Sequence, residues 1–146
     1  MERLVAEFCT RGLQVSTLKH AHHCFDVDTP GTDSFRHRAA GASQVLLASA
    51  TRWALMEESR GTAQPTLAQH LKRMAPVDLI LIEGWKNEPH PKIEVWRHAT
   101  CQPLIATSDK TIRAIASDSP LDVNCPMFDL NDTKAIANFI AVELAL

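Results

Sequence analysis

The sequence predicts a three-layer α/β domain with a mostly parallel sheet, and three observations carry that prediction. Strand-like and helix-like segments alternate along the chain. "VDLILIEG", residues 77–84, is apolar almost throughout, which suits a parallel strand covered on both faces. The 146 residues, 45% hydrophobic and 22% charged, suffice to bury one core without disulfides or structural metal, so a single domain over 1–146 is expected.

The elements follow in order. Leu4, Val5, Phe8 and Cys9 fall at helical spacing within 1–11, and Gly12 marks a stop. "LQVSTLK", 13–19, alternates and is rich enough in β-branched residues for a strand. After Pro30-Gly31, Thr32, Asp33 or Ser34 caps a short helix "SFRHRAA" that Gly41 ends. "SQVLLAS" and "RWALMEES" form a β-hairpin turning around Ala50-Thr51. In "TLAQHLKRM", Leu67, Leu71 and Met74 make the buried stripe of a helix. The strand at 77–84 is expected centrally, followed by "PKIEVWRH" and "TIRAIASD" as further strands. "DTKAIANFIAVELAL" closes the chain as an amphipathic helix.

Composition narrows the function. A formal net charge of −2 argues against a nucleic-acid binder relying on a broad basic surface. The longest apolar run is too short for a membrane span. Cys9, Cys24, Cys101 and Cys125 form no C-x-x-C pair, so reduced thiols in a cytoplasmic protein are expected.

"LKHAHHCFDVDTPGTDS", 18–34, is the densest chemistry in the chain. Run extended, it would set His20, His22, Cys24, Asp26 and Asp28 on one side, a possible ligand set for zinc. Soft His and Cys beside hard Asp fit no one metal cleanly, and a solvated loop is the simpler alternative. Three acids, Asp28, Glu83 and Asp118, lie at or just beyond strand ends, where open α/β sheets bind ligands. An apolar strand ending in an acid, as at Glu83, has the form that presents a carboxylate to magnesium or its water. Lys19, Arg36, Arg38, Lys86 and Arg97 are the cations near element ends, with Arg38 and Lys86 the best placed to balance an anionic ligand.

Taken together, "LKHAHHCFDVDTPGTDSFRHRAAGA", "RWALM", "DLILIEGWK" and "PKIEVWR" closely resemble the MobB family of molybdopterin-guanine dinucleotide biosynthesis adapter proteins. The resemblance implies a P-loop-NTPase-like fold with a hairpin insertion. It also implies binding of GTP with Mg2+, at most weak GTP hydrolysis, homodimerisation, and assistance to the guanylyltransferase MobA. Contact with molybdopterin or molybdoenzymes is a further implied possibility. Carried over residue by residue, Asp26, Asp28 and Asp33 fall in a switch-like loop, and Glu83 takes the catalytic, Walker-B-like position. Asp28 and Glu83 become the metal side, and Lys19, His20, Asp28, Asp33, Ser34, Arg38, Lys86 and Asp118 the nucleotide side. The alternative is a non-enzymatic metal or interaction module built on 20–24.

The family pattern opens with a strand and a G-x-x-x-x-G-K-[ST] phosphate loop immediately before the helix that here starts at Met1. None of the five glycines is followed by Lys-Ser or Lys-Thr. The expectation is therefore a chain whose first strand and phosphate loop are missing, with impaired nucleotide binding, and a start assigned downstream of the loop is the favoured explanation.

Overall fold

The computed structural model describes residues 1–21 and 25–146. Helix α1 (Glu2–Thr10) is followed by strand β1 (Val15–Lys19), helix α2 (Asp33–Ala39), and strands β2 (Gln44–Ala48) and β3 (Trp53–Glu57). Then come the short helix α3 (Leu67–Leu71), strands β4 (Leu79–Glu83), β5 (Lys92–Trp96), β6 (Ile112–Ser117) and β7 (Met127–Asp129), and helix α4 (Thr133–Leu144). Two single-turn 3-10 helices, His98–Thr100 and Ile105–Thr107, lie between β5 and β6. Contacts divide the chain into two compact units, one of residues 1–20 and 75–146, the other of 21–74. Among the described residues no helix is long and apolar enough to cross a membrane.

The first unit contains all of the parallel strands. β1 pairs with β4 from Val15 opposite Leu79 to Lys19 opposite Glu83. Asp78 fixes the start of that register by accepting from the Gln14 N–H at 2.7 Å, while Leu79 N–H donates to Gln14 O. β5, β6 and β7 form a second parallel sheet with β6 in the middle. The parallel strands thus fall into two hydrogen-bonded groups, and among the described residues β4 pairs with β1 alone. The apolar strand expected at the centre of the sheet is in this respect an edge.

Phe8, Leu79, Leu81 and Ala137 are buried together, with Leu4, Val5, Leu13, Val15, Ile140 and Ala141 packed around them. This is the apolar stripe of α1 meeting β4 and α4. Cys9, placed on that stripe by spacing alone, is exposed, because the buried face narrows to Phe8 near the end of the helix. Gly12, at φ +87°, ends α1: its N–H bonds to Cys9 O and that of Leu13 to Phe8 O, a left-handed stop that glycine makes without strain. Arg11 then reaches Glu7 and Asn138, tying α1 to α4.

In the second unit β2 and β3 form the expected antiparallel hairpin, from Gln44 opposite Glu57 to Ala48 opposite Trp53. No glycine is needed at its tip. Ser49 Oγ accepts from the N–H groups of Thr51 and Arg52, so a side chain does what a special backbone conformation does elsewhere. Helix α3 is shorter than its apolar spacing implied, although Thr66 and Gln69 cap it reciprocally. Its buried anchor is Leu67.

Candidate functional site

Two groupings contain most of the residues singled out by sequence, one in each unit. In the first unit the carboxyl ends of β1 and β4 lie side by side. Lys19 Nζ is 3.1 Å from Glu83 Oε1, and the His20 N–H donates to Glu83 O at 2.9 Å, extending the ladder one residue beyond β1. The chain then turns at Gly84 (φ +93°) and Trp85 (φ +50°), two left-handed residues in succession. The turn brings the Trp85 ring to 4.7 Å from the His20 imidazole, at an interplanar angle of 40°. Gly84 lies so close to His20 that no other residue fits unstrained: a Cβ there would stand 2.8 Å from His20 Cβ.

The Lys19–Glu83 pair is open to solvent, with side chains 69% and 48% exposed, so it adds little to stability. The Glu83 side chain thus lies exposed at the end of a parallel pair, and its one ion-pair partner among the described residues is an exposed lysine. Lys86, one residue beyond Trp85, is exposed and makes no ion pair among the described residues. Asp118 follows β6 and accepts from His98 N–H at 2.9 Å, pinning the start of a 3-10 turn. That bond is the main reason its carboxyl sits below the usual carboxylate range.

In the second unit Asp28 organises the loop that precedes α2. Its Oδ1 accepts from Thr29 N–H at 3.0 Å, Thr32 Oγ1 at 3.2 Å and Ser34 Oγ at 2.8 Å, while Oδ2 accepts from Arg38 Nε at 3.2 Å. Arg38 also donates to both oxygens of Asp26, at 2.8 and 2.7 Å, and to Glu58 Oε1 at 2.9 Å. Burial alone would push the Asp28 carboxyl up, but the bonds from Ser34, Thr29, Thr32 and Arg38 outweigh it and hold the group below its ordinary value. Asp26 is lowered chiefly by the Arg38 hydrogen bond, and Arg38 is raised in return by Asp26 and Glu58. Three carboxylates therefore share one guanidinium. Thr32 is the residue that caps α2, accepting from Phe35 N–H, and exposed Asp33 sits in the first turn, where its charge suits the helix dipole.

The side chain of Asp28 is only 4% exposed, and both of its oxygens are engaged by protein donors. Glu83, by contrast, is half exposed, and its one ion pair among the described residues is with Lys19. Among the described residues no group of three or more His, Cys, Asp or Glu side chains is placed to hold a metal ion. His22, His23 and Cys24 of the alternative metal cluster lie outside the described residues. Asp26, Phe35, Arg38, Ala39 and Glu58 line a shallow hollow of about 270 Å³, in which Arg38 is bonded to both acids.

Residues 1–118 match the model of the family described as "Molybdopterin guanine dinucleotide synthesis protein B". The chain belongs to the MobB family. The molybdopterin-guanine dinucleotide biosynthesis adapter protein of Escherichia coli K12 is 39% identical over 143 residues, covering 96% of this chain and 82% of that one. The adapter protein of Haemophilus influenzae is 40% identical over 141 residues, covering 96% and 78%. A crystal structure of a molybdopterin-guanine biosynthesis protein B superposes with a TM-score of 0.75 at 21% identity, covering 97% of this chain and 88% of that one. A MobB homolog from Bacillus stearothermophilus gives 0.72 at 25% identity, covering 99% and 87%. The fold is the three-layer, P-loop-NTPase-like α/β fold of MobB proteins.

Set against the sequence, the MobB motifs resolve into two junctions. K-H and E-G-W are adjacent strand ends, and D-x-D-x-P-G-x-D-S is a loop folded onto Arg38. Lys19, His20 and Glu83 come together, as do Asp28, Ser34 and Arg38. Asp33 and Asp118 stand outside both groups, and Lys86 follows the first of them one residue beyond Trp85. Sequence reasoning missed Glu58 as the third acid on Arg38, and nothing in "MEES" distinguishes it from a solvated surface acid. It also passed over Trp85 as the partner of His20, although a glycine between an acid and a tryptophan at a strand end was a readable sign of close approach.

Proposed function

We propose that this MobB-family chain is an adapter in molybdopterin guanine dinucleotide synthesis, assisting the guanylyltransferase MobA and taking GTP with magnesium beside the carboxyl ends of β1 and β4. The relatives 39% and 40% identical carry the name of adapters in that biosynthesis, which supports the role. The observation that carries the nucleotide side is the Lys19–Glu83–Gly84–His20 junction, an accessible acid and base at the end of a parallel pair, where folds of this class receive ligands. In this reading Glu83 holds the magnesium or its water, and Lys19 and Lys86 supply positive charge toward phosphate. Asp28, Ser34 and Arg38 position the loop rather than meet the ion. Magnesium, when bound, neutralises charge on the phosphate oxygens. The 146 residues contain no G-x-x-x-x-G-K-[ST] cradle, so binding by this chain alone is expected to be weak.

Titration with mant-GTP and magnesium tests the nucleotide side, using the chain as it stands and a version with a strand and phosphate loop placed ahead of Met1. The extended chain should bind more tightly, and Glu83→Gln in it should weaken binding about tenfold, a loss of about 1.4 kcal/mol. Unchanged affinity in Glu83→Gln would remove Glu83 from the site. Co-purification with the guanylyltransferase tests the adapter role separately, and no association with or without nucleotide would reject it.

A further inference from the structure

The connection from β4 to β5, residues 84–91, is held at both of its ends. At the first, Gly84 packs on His20 and the Trp85 ring lies against the same imidazole. Glu88 N–H then donates to Trp85 O at 3.1 Å and closes a β-turn with Lys86 and Asn87 at its tip. At the second end stands Lys92, the first residue of β5. Its Nζ donates to Glu88 O at 2.7 Å and lies 2.9 Å from Asp109 Oδ2. Both bonds are charge-assisted, and the lysine side chain is only 12% exposed, so water competes little for them.

A lysine is commonly a mobile cation, but this one is fixed from the sheet outward. Lys92 N–H bonds to Thr111 O, and Asp109 accepts from the N–H and hydroxyl of Thr111 at 2.8 and 2.6 Å. The ammonium is thus suspended between a carboxylate locked in the segment entering β6 and the carbonyl that ends the 85–88 turn. Paired and largely buried, it is placed to hold a neighbour rather than to meet a ligand. Lys86 is the opposite case, exposed and without an ion pair among the described residues.

We propose that Lys92 is a positioning residue for the nucleotide side, fixing through Glu88 O the turn that carries Lys86 just beyond Glu83. The proposal rests on the reading of the β1–β4 junction as the place that takes GTP, and it adds a residue that lies outside that junction. Asp109, Lys92, Glu88 and Trp85 form an unbroken series, each bonded to the next, and the series ends on the ring against His20. Among the described residues Lys92 is the one donor to Glu88 O. Without the ammonium the turn keeps its single backbone bond at an exposed tip, and such turns open readily.

Two measurements test it. In the chain as it stands, Lys92→Met keeps the aliphatic stem and removes the ammonium. Exchange of the Glu88 amide, followed by NMR, should quicken about threefold or more while the β6 amides hold, and Lys92→Arg should restore it. In the chain extended by a strand and phosphate loop, Lys86→Met and Lys92→Met should each weaken binding of mant-GTP with magnesium by about threefold to tenfold. The double variant should bind no more weakly than Lys86→Met alone, because a residue that acts through Lys86 then has nothing left to position. Additive losses, or an affinity in Lys92→Met equal to the parent's, would overturn the positioning role and leave Lys86 in the site. No binding by the extended chain, or no loss in Lys86→Met, would remove the nucleotide reading of this turn and the proposal with it. An unchanged Glu88 amide would overturn the proposal without reference to nucleotide. If Lys92→Met does not fold, Asp109→Asn, which keeps the ammonium and releases its anchor, takes its place in both measurements under the same criteria.

Discussion

Gly84 and His20 stand so close that the site of a side chain on one is filled by the Cβ of the other, 2.8 Å away. The contact joins the turn after β4 to the residue after β1, so the left-handed glycine is a condition of the junction that holds Glu83. Gly84→Ala combines that clash with a φ of +93°. It should lower stability by about 1–3 kcal/mol in urea unfolding. A loss within experimental error would show that the two segments can part at no cost.

Asp28 leads to a different kind of prediction. Asp28→Asn keeps the shape but replaces an accepting oxygen with an amide that faces other donors. The loop from 25 to 32 and the first turn of α2 should exchange amide hydrogens faster, while peptides of β1 and β4 do not change. Uniform acceleration would mean that Asp28 supports the whole fold. The sign with pH follows from the lowered carboxyls of Asp26 and Asp28. Their contribution is complete above the ordinary value of 3.8 and fades as pH falls through the folded values below it. Loop protection should therefore weaken on acidification in the parent, and less so in Asp28→Asn.

Asp109 gives a second acid-side effect, in the other unit. The Thr111 hydroxyl and Lys92 ammonium bring its carboxyl down to about 2. Thr111 Oγ1 lies at 2.6 Å and Lys92 Nζ at 2.9 Å. Because the folded value is depressed, the stabilisation is present in full above 3.8 and is lost as pH falls toward about 2. In Asp109→Asn the fall in melting temperature between those two pH values should be shallower than in the parent. Parallel curves would remove the pair from the pH dependence.

Phe8 is fully buried between β4 and α4. Phe8→Ala should cost about 3–5 kcal/mol, lost transfer energy plus a cavity. Denaturant unfolding with a matched Phe8→Leu variant would check it, and a cost no larger than for Phe8→Leu would mean that the helix repacks.

Much of this fold was legible because its signals are long or chemically distinctive. The apolar run of β4, the stripe of α1 and the alternation of the hairpin each repeat over several residues, and they appear where the sequence placed them. β7 was not foreseen, since Met127–Asp129 is a three-residue strand following Pro126 and shows no periodicity. The two 3-10 turns were hidden for another reason. One is held by Asp118, just after β6, and the other by Glu94 from β5, through bonds to His98, Ile105 and Ala106 N–H groups that span eleven to twenty positions. In the candidate site the residue types were readable and their duties were not. Asp28 and Glu83 look alike in sequence, and only the number of donors around each separates a buried carboxylate with both oxygens engaged from an exposed one paired with a single lysine.

The parallel pairing of β1 with β4 has a consequence for the segment 21–74. Both strands run in the same direction, so a chain leaving Lys19 must travel back the length of a strand before it can enter at Leu79. A return of that kind takes about a dozen residues or more. The second unit, with its acidic knot on Arg38 and its exposed hairpin, is thus also the return path that permits the first pair of strands to exist. It cannot be trimmed to a tight turn, because a turn would force the two strands to run head to tail and would carry Glu83 to the opposite end of the sheet from Lys19.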